Sequence, residues 1–394
     1  MFFRTPKSWL MPVVSQLFLS RSRLLKLRNS AEKKRQQAKR PHVVHFFHQV
    51  DDPYSQLLST VLPHLQSRYN ISLETHLVDV PEDSAVPERA MLQTYSLLDA
   101  QRLAHRFQLD WQFVQPSEIQ NSDAYSASHA LRKKWGHYLG ATLYYEGEWY
   151  WGIDRLHHLE NRLKDLGLCQ STDSGPLFLI SQFVPCRVAP QGTSIDFFFS
   201  FRSPYSALSA ARIFHWASQS GVSIKLRYVL PMVMRGLPVP AEKRRYISLD
   251  AAREAHVQGV PFGRLNDPVG KPTERGLALM PFAEMQNLAE DYVMSFMKGV
   301  WSEGLDAGLD AHLKIIAERA GLNWTAAKDI LRSPSNETHW RAIAEENKQA
   351  LFALGLWGVP SFRYENTSAW GQDRFWVIED ALNSQFDADP LASP

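Results

Sequence analysis

Apolar residues along the chain fall into two short runs that look alike, Val43 to Phe47 and Ile195 to Phe201, each too short for a helix and bounded by polar or turn-forming residues. Runs of that length read as buried strands. An Asp/Ser-Pro step follows each one, and in the second case Leu208, Ala211, Ile213 and Trp216 then repeat at helical spacing. A further apolar stretch comes next, Ile71 to Val80 after the first run and Val222 to Leu230 after the second. The pattern predicts a β-α-β unit in each half. Beyond Arg275 the spacing is helical throughout: Met280, Met285, Leu288, Tyr292, Phe296 and Val300, then Leu309, Leu313 and Ile316, then Trp340, Ile343, Leu351 and Leu354 before Gly355, a helix stop. Ser361 to Tyr364 and Ala369 to Trp370 flank Asn366 and Thr367 as a hairpin, and Asp373 to Leu382 closes the chain as a helix.

The two halves are copies. Val44 to Ser55 and Ile195 to Ser206 share five of twelve residues at an offset of 151. At the same offset Tyr95, Leu98, Asp99, Ala100, Arg102, Ala104 and His105 recur as Tyr246, Leu249, Asp250, Ala251, Arg253, Ala255 and His256. A third block, Trp151-Gly152-Ile153-Asp154-Arg155, recurs as Trp370-Gly371-Gln372-Asp373-Arg374 at offset 219, so the second copy carries 68 more residues before it. An internal repeat fixes the layout before any other consideration. The expected fold class is α/β, with two tandem thioredoxin-like domains, the second holding a helical insertion that the first mostly lacks. The expected boundaries are an N-terminal extension over 1–41, a degenerate domain over 42–166, a linker over 167–192, a complete domain over 193–385 with its insertion at about 275–355, and a tail over 386–394.

A length of 394 residues gives each domain its own core. With 44% hydrophobic and 21% charged residues the composition is globular, and no run of about 18 apolar residues is present to span a bilayer. The net charge of +2 conceals an asymmetry: residues 1–40 hold eleven Lys or Arg and one Glu. Their apolar patch (Trp9 to Leu19) is interrupted by Pro12, Ser15 and Gln16, unlike a secretory signal. This segment is expected to be a solvated basic extension, helical or unfolded, with weak contact to an anionic membrane surface or organellar import as alternatives and no nucleic-acid partner. Cys169 and Cys186 form no framework, which points to a reducing compartment, taken as the cytoplasm.

Candidate chemistry gathers in the second copy. Ser203 precedes Pro204 at a strand-to-helix junction and so falls at an N-cap, where its hydroxyl and the free backbone N–H groups of the first turn favour an anion or thiolate. Taken alone, it is a capping serine. Gly358-Val359-Pro360-Ser361 opens the late strand, where an X-Pro bond can be cis and leave the Val359 backbone free for an extended ligand. Asp373 stands at another strand-to-helix junction, as a cap or as a partner for an ammonium group.

In this order, with Val300-Trp301-Ser302-Glu303-Gly304 between them, these motifs resemble the 2-hydroxychromene-2-carboxylate isomerase family, the glutathione-dependent branch of the DsbA-like thioredoxin superfamily that includes kappa-class glutathione transferases. The resemblance spans about 190 residues of the second copy. It implies that Ser203 donates a hydrogen bond to the glutathione thiol, that Val359 and Pro360 pair with the cysteine backbone, that Gln372 and Asp373 receive the γ-glutamyl end, and that Lys243 reaches the glycine carboxylate. A thiol so placed loses one or more pKa units from about 8.5. Arg202, Tyr205 and Trp370 stand as substrate contacts for a small aromatic or acidic electrophile. Ser200, Arg202 and Leu237 depart from the family pattern, which leaves the co-substrate open between isomerisation and conjugation, as is the oligomeric state.

The first copy has Asp52 where the second has Ser203, Leu92 for Lys243 and Ala141 for Pro360. An aspartate there repels a thiolate, so this copy is expected to be a structural partner. His42, His45 and His48 alternate faces along one strand, and no metal is expected. Two other functions stay open: a thiol-disulfide oxidoreductase, disfavoured because no cysteine lies near Ser203, and a non-catalytic binding protein.

Overall fold

The structure is a computed structural model that describes residues 6–116, 123–172, 175–184 and 189–388. Cys186 lies outside the described residues. In chain order the elements are α1 Pro6–Leu19, α2 Arg21–Gln37, β1 Val43–His48, α3 Pro53–Arg68, β2 Ser72–Leu77, α4 Arg89–Arg106, α5 Asp123–Trp135, β3 Thr142–Tyr145, β4 Glu148–Trp151 and α6 Leu156–Asp165. The second half follows with β5 Ser194–Phe199, α7 Pro204–Ser220, β6 Ser223–Tyr228, α8 Ala241–Gln258, α9 Lys271–Ala278, α10 Met280–Met285, α11 Ala289–Trp301, α12 Asp310–Arg319, α13 Trp324–Ile330, α14 Pro334–Ala353, β7 Ser361–Tyr364, β8 Thr367–Trp370 and α15 Phe375–Ala388.

Two compact units result: a C-terminal unit of Met1–Arg23, Ser181–Leu237 and Ile247–Pro394, and an N-terminal unit of Leu24–Ile180 and Pro238–Tyr246. Each has one four-stranded sheet, ordered β2-β1-β3-β4 in the N-terminal unit and β6-β5-β7-β8 in the C-terminal unit. In both, the first strand pairs parallel with the second and antiparallel with the third. The parallel pairing explains the unbroken apolar runs, since a strand covered on both faces has no polar alternation to show. Phe197, Phe198 and Phe199 are all buried, and Phe197 stacks on Phe362 of the neighbouring strand with ring centroids 5.4 Å apart. Strand β5 ends at Phe199, before Phe201, whose ring leaves the sheet and stacks at 3.9 Å on Phe296 of α11. In this way the helices α9 to α14, which form the expected insertion, are fastened to the sheet.

The basic segment is not a free tail. Within the C-terminal unit, Ser15 exchanges hydrogen bonds with the backbone of Leu265, and Pro12 sits against Gly304 so closely that a Cβ there would meet it at 2.5 Å. Within the N-terminal unit, Arg28 pairs with Glu148 at 2.6 Å and Arg40 with Glu146 at 2.6 Å. The charge density of residues 1–40 gave no hint of these partners, which lie more than a hundred residues away. No helix of the described residues is long and apolar enough to cross a membrane.

Part of the repeat signal is structural rather than chemical. Tyr54 Oη donates to Asp99 at 2.8 Å in the first copy, and Tyr205 Oη donates to Asp250 at 2.8 Å in the second. Each pair joins the start of the helix after the first strand to the middle of a later helix. Asp250 is 1% exposed and also accepts from Arg253 at 2.7 Å, so its ionised carboxylate depends on these donors. The Tyr205 hydroxyl, on a residue expected as a substrate contact, is thus engaged by Asp250. Tyr205→Phe is expected to cost about 1.5–3 kcal/mol, the range for a hydrogen bond to a charged group, in denaturant-unfolding midpoints.

Candidate functional site

The C-terminal unit brings together two backbone features that lie 156 residues apart in sequence. Helix α7 begins at Pro204, whose fixed φ suits the first helical position, and Ser203 caps it in extended conformation, accepting from Ser206 N at 3.1 Å. The Ser203 hydroxyl also donates to Val359 O at 3.2 Å, on the turn entering β7. The Val359–Pro360 peptide is cis, as the sequence suggested, and no other cis bond occurs among the described residues. The Val359 carbonyl, expected to be free, is therefore occupied by the serine.

Tight packing around the turn explains its glycines. A Cβ on Gly358 would lie 2.4 Å from Trp370 Nε1, so only glycine lets the indole cover the turn. Trp370 in turn packs on Trp357 at 4.4 Å, which makes it part of the wall beside Pro360. Gly371, at φ +109, takes a conformation that few other residues adopt, and its N–H donates to Pro360 O at 2.9 Å.

The residues after Gly371 form a buried polar network. Gln372 is 2% exposed; its amide donates to Glu254 at 2.9 Å and Asp373 at 3.1 Å, and its oxygen accepts from Arg212 at 3.0 Å and Gln258 at 3.3 Å. The side chain of Gln372 has no capacity left for a ligand, and it aligns the Asp373 carboxylate instead. Burial lowers the pKa of the Arg212 guanidinium, against the opposing pull of Asp373 and Glu254. Arg212, Glu254 and Gln258 had no motif to mark them; the one available signal was that Glu254 falls inside the repeated block around Arg253.

Arg202 is held in a two-point ion pair with Asp267 at 2.7 and 2.8 Å, so it is not a free cation for an acidic substrate. Ser200, directly before this turn, has a buried hydroxyl without a hydrogen-bond partner. Lys243 falls in the N-terminal unit, where its Nζ donates to Ala85 O at 2.7 Å and lies 5.9 Å from the Tyr138 ring centre. Burial pushes its pKa down to about 8.

With this geometry established, the second copy can be compared with known proteins. A family model described as a DSBA-like thioredoxin domain matches residues 194–383. Those residues are a DSBA-like thioredoxin domain. The same region is 24% identical over 196 residues to 2-hydroxychromene-2-carboxylate isomerase of Pseudomonas putida, covering 48% of this chain and 93% of that protein. The Sphingobium xenophagum protein of the same name is 26% identical over 197 residues, covering 48% of this chain and 97% of its own. A solved structure of a 2-hydroxychromene-2-carboxylate isomerase matches 51% of this chain and all of that one, with a TM-score of 0.44 and 22% identity.

The N-terminal unit keeps the frame of the DSBA-like domain and changes its contents. Gly152 N donates to Ala141 O at 2.7 Å, as Gly371 N does to Pro360 O, which confirms that Ala141 stands in the proline position. Unlike proline, Ala141 has an N–H, and it donates to Ser55 Oγ at 2.7 Å. The Ser55 hydroxyl donates to Asp52 at 2.8 Å, and Asp52 also caps α3 through the N–H groups of Tyr54 and Ser55. Burial pushes the Asp52 carboxyl up to about 6. A carboxylate whose folded pKa lies above its unfolded value favours folding when protonated, and that contribution is lost as the pH rises through about 6. Asp52→Asn should therefore raise stability at pH 7–8 by about 1–2 kcal/mol, allowing for partial solvent screening, and change little near pH 4. Melting curves of the two proteins across that range check this, and a difference that does not grow with pH would refute it.

Proposed function

We propose that the DSBA-like domain is a glutathione-dependent isomerase or transferase in which Ser203 stabilises the glutathione thiolate. The observation that carries this reading is the 3.2 Å contact of Ser203 Oγ with Val359 O, which puts a hydroxyl donor, a helix N-terminus and the proline turn in one place. The relatives named 2-hydroxychromene-2-carboxylate isomerase support an isomerase, and their match covers nearly their whole length.

Bound glutathione would supply a thiolate nucleophile for attack on a small electrophile. For that, the Ser203 hydroxyl turns from the Val359 carbonyl towards the sulfur. The positive end of the α7 dipole adds to the stabilisation of negative charge. The Val359 backbone, released by the serine, is then available to an extended peptide, and Asp373 is oriented by Gln372 to hold an ammonium group. Trp370, backed by the buried Trp357, offers an aromatic wall for the electrophile.

No cysteine lies between Ser194 and Ser220, so a dithiol exchange centred on Ser203 has no sulfur to use. A non-catalytic binding protein is the remaining alternative. Millimolar glutathione should raise the melting temperature, since ligand at about 100 times its dissociation constant adds roughly 2.7 kcal/mol. Ser203→Ala should keep most of that shift, raise the pKa of the bound thiol, read from its ultraviolet thiolate absorbance, and cut turnover of 2-hydroxychromene-2-carboxylate or an aromatic electrophile about 10–1000-fold. Asp52→Ala should leave turnover nearly unchanged. No melting shift would favour the binding-protein reading, and a covalent adduct on Ser203 would overturn the hydrogen-bonding role.

A further inference from the structure

We propose that the N-terminal unit binds a divalent transition-metal ion, Zn2+ or a first-row neighbour, between His45, Glu74 and His76. The three histidines near β1 could not form a site with one another, because His45 and His48 project to opposite faces of the strand and His42 is bonded to Tyr145 Oη at 2.6 Å. The missing ligands come from the parallel neighbour. In the β1–β2 register His45 pairs with Glu74 and Phe47 with His76, which puts residues 45, 47, 74 and 76 on one face of the sheet.

On that face the donor atoms converge. His45 Nδ1 lies 3.0 Å from His76 Nε2 and 3.3 Å from a Glu74 carboxylate oxygen, and His76 Nε2 lies 3.8 Å from the other oxygen. Zinc–nitrogen and zinc–oxygen bonds of about 2.0–2.2 Å in a tetrahedron put ligand atoms about 3.3–3.5 Å apart, within the observed spread. Two imidazoles and a carboxylate are a borderline donor set, suited to Zn2+, Co2+, Ni2+ or Cu2+ rather than to the all-oxygen preference of Mg2+ or Ca2+.

Packing holds the imidazoles in place without a metal. The Trp135 ring stands edge-on to His45 with centroids 5.0 Å apart, and Phe47 stacks on His76 at 4.8 Å. Both histidine side chains are mostly covered, whereas that of Glu74 is 56% exposed, so the third ligand and the remaining coordination position face solvent. Two nitrogens 3.0 Å apart share one N–H when no metal is bound, and with a metal between them the donor imidazole carries its proton on its other ring nitrogen, so that both offer lone pairs.

Calorimetric titration of the full chain, purified without a polyhistidine tag and stripped by a chelator, tests the site with Zn2+ alone. One ion per chain at micromolar affinity or tighter is expected, and Co2+ in its place should give visible absorption of a low-symmetry site. His76→Gln should weaken Zn2+ by about 100-fold or more, at least the upper end of what loss of an outer-shell partner costs, and Glu74→Gln by about 10-fold. Because Glu74 is at the surface, its variant folds even if the histidine variant does not. No uptake of Zn2+ at micromolar concentration, or the same affinity in Glu74→Gln as in the unmodified chain, would overturn the proposal.

Discussion

A strand paired on both edges is the constraint from which the rest of each unit follows. Strand β5 is bonded parallel to β6 and antiparallel to β7, and β1 is bonded in the same way to β2 and β3. Because β7 runs antiparallel, it begins where β5 ends: Ser361 lies opposite Phe198. The turn before β7 therefore sits beside the turn after β5, where α7 starts. The meeting of Ser203 with Val359 is thus a consequence of sheet topology, and the side chains there specialise a position that the topology supplies. Such strand-end positions recur as ligand sites because helix N–H groups and unpaired backbone converge on them.

The two copies show what this frame permits. In the C-terminal unit the proline has no N–H to donate and the cap is a neutral hydroxyl, so turn and helix are joined through the Ser203 hydroxyl and the Val359 carbonyl. In the N-terminal unit Ala141 donates to Ser55, Ser55 donates to Asp52, and Asp52 takes up the N–H groups of the helix. That chain satisfies its own donors and acceptors. A charged cap also opposes negative charge at the helix end, so the same sheet order carries a different cap chemistry in the two units. Among the identities that persist in both copies, Tyr54 with Asp99 and Tyr205 with Asp250 lock helices together.

Features set by neighbours in sequence were legible without coordinates. The apolar runs placed the strands to within three residues at either end, Ser-Pro marked the cap of α7, and the blocks at offsets of 151 and 219 set Ala141 against Pro360. Strand periodicity and helix capping are local, and an internal repeat is a comparison of the chain with itself.

What tertiary structure alone decided was where each polar group found its partner. Arg202 pairs 65 residues away with Asp267, and Gln372 pairs 118 residues away with Glu254. Lys243, to which the family resemblance assigned the glycine carboxylate, is bonded 158 residues away to Ala85 within the N-terminal unit. His45 meets Glu74 and His76 only through the register of two parallel strands. A side chain's local sequence fixes its chemistry and its face, whereas its partner depends on which distant segment the pairing and packing bring within about 3 Å, and composition and spacing carry no record of that.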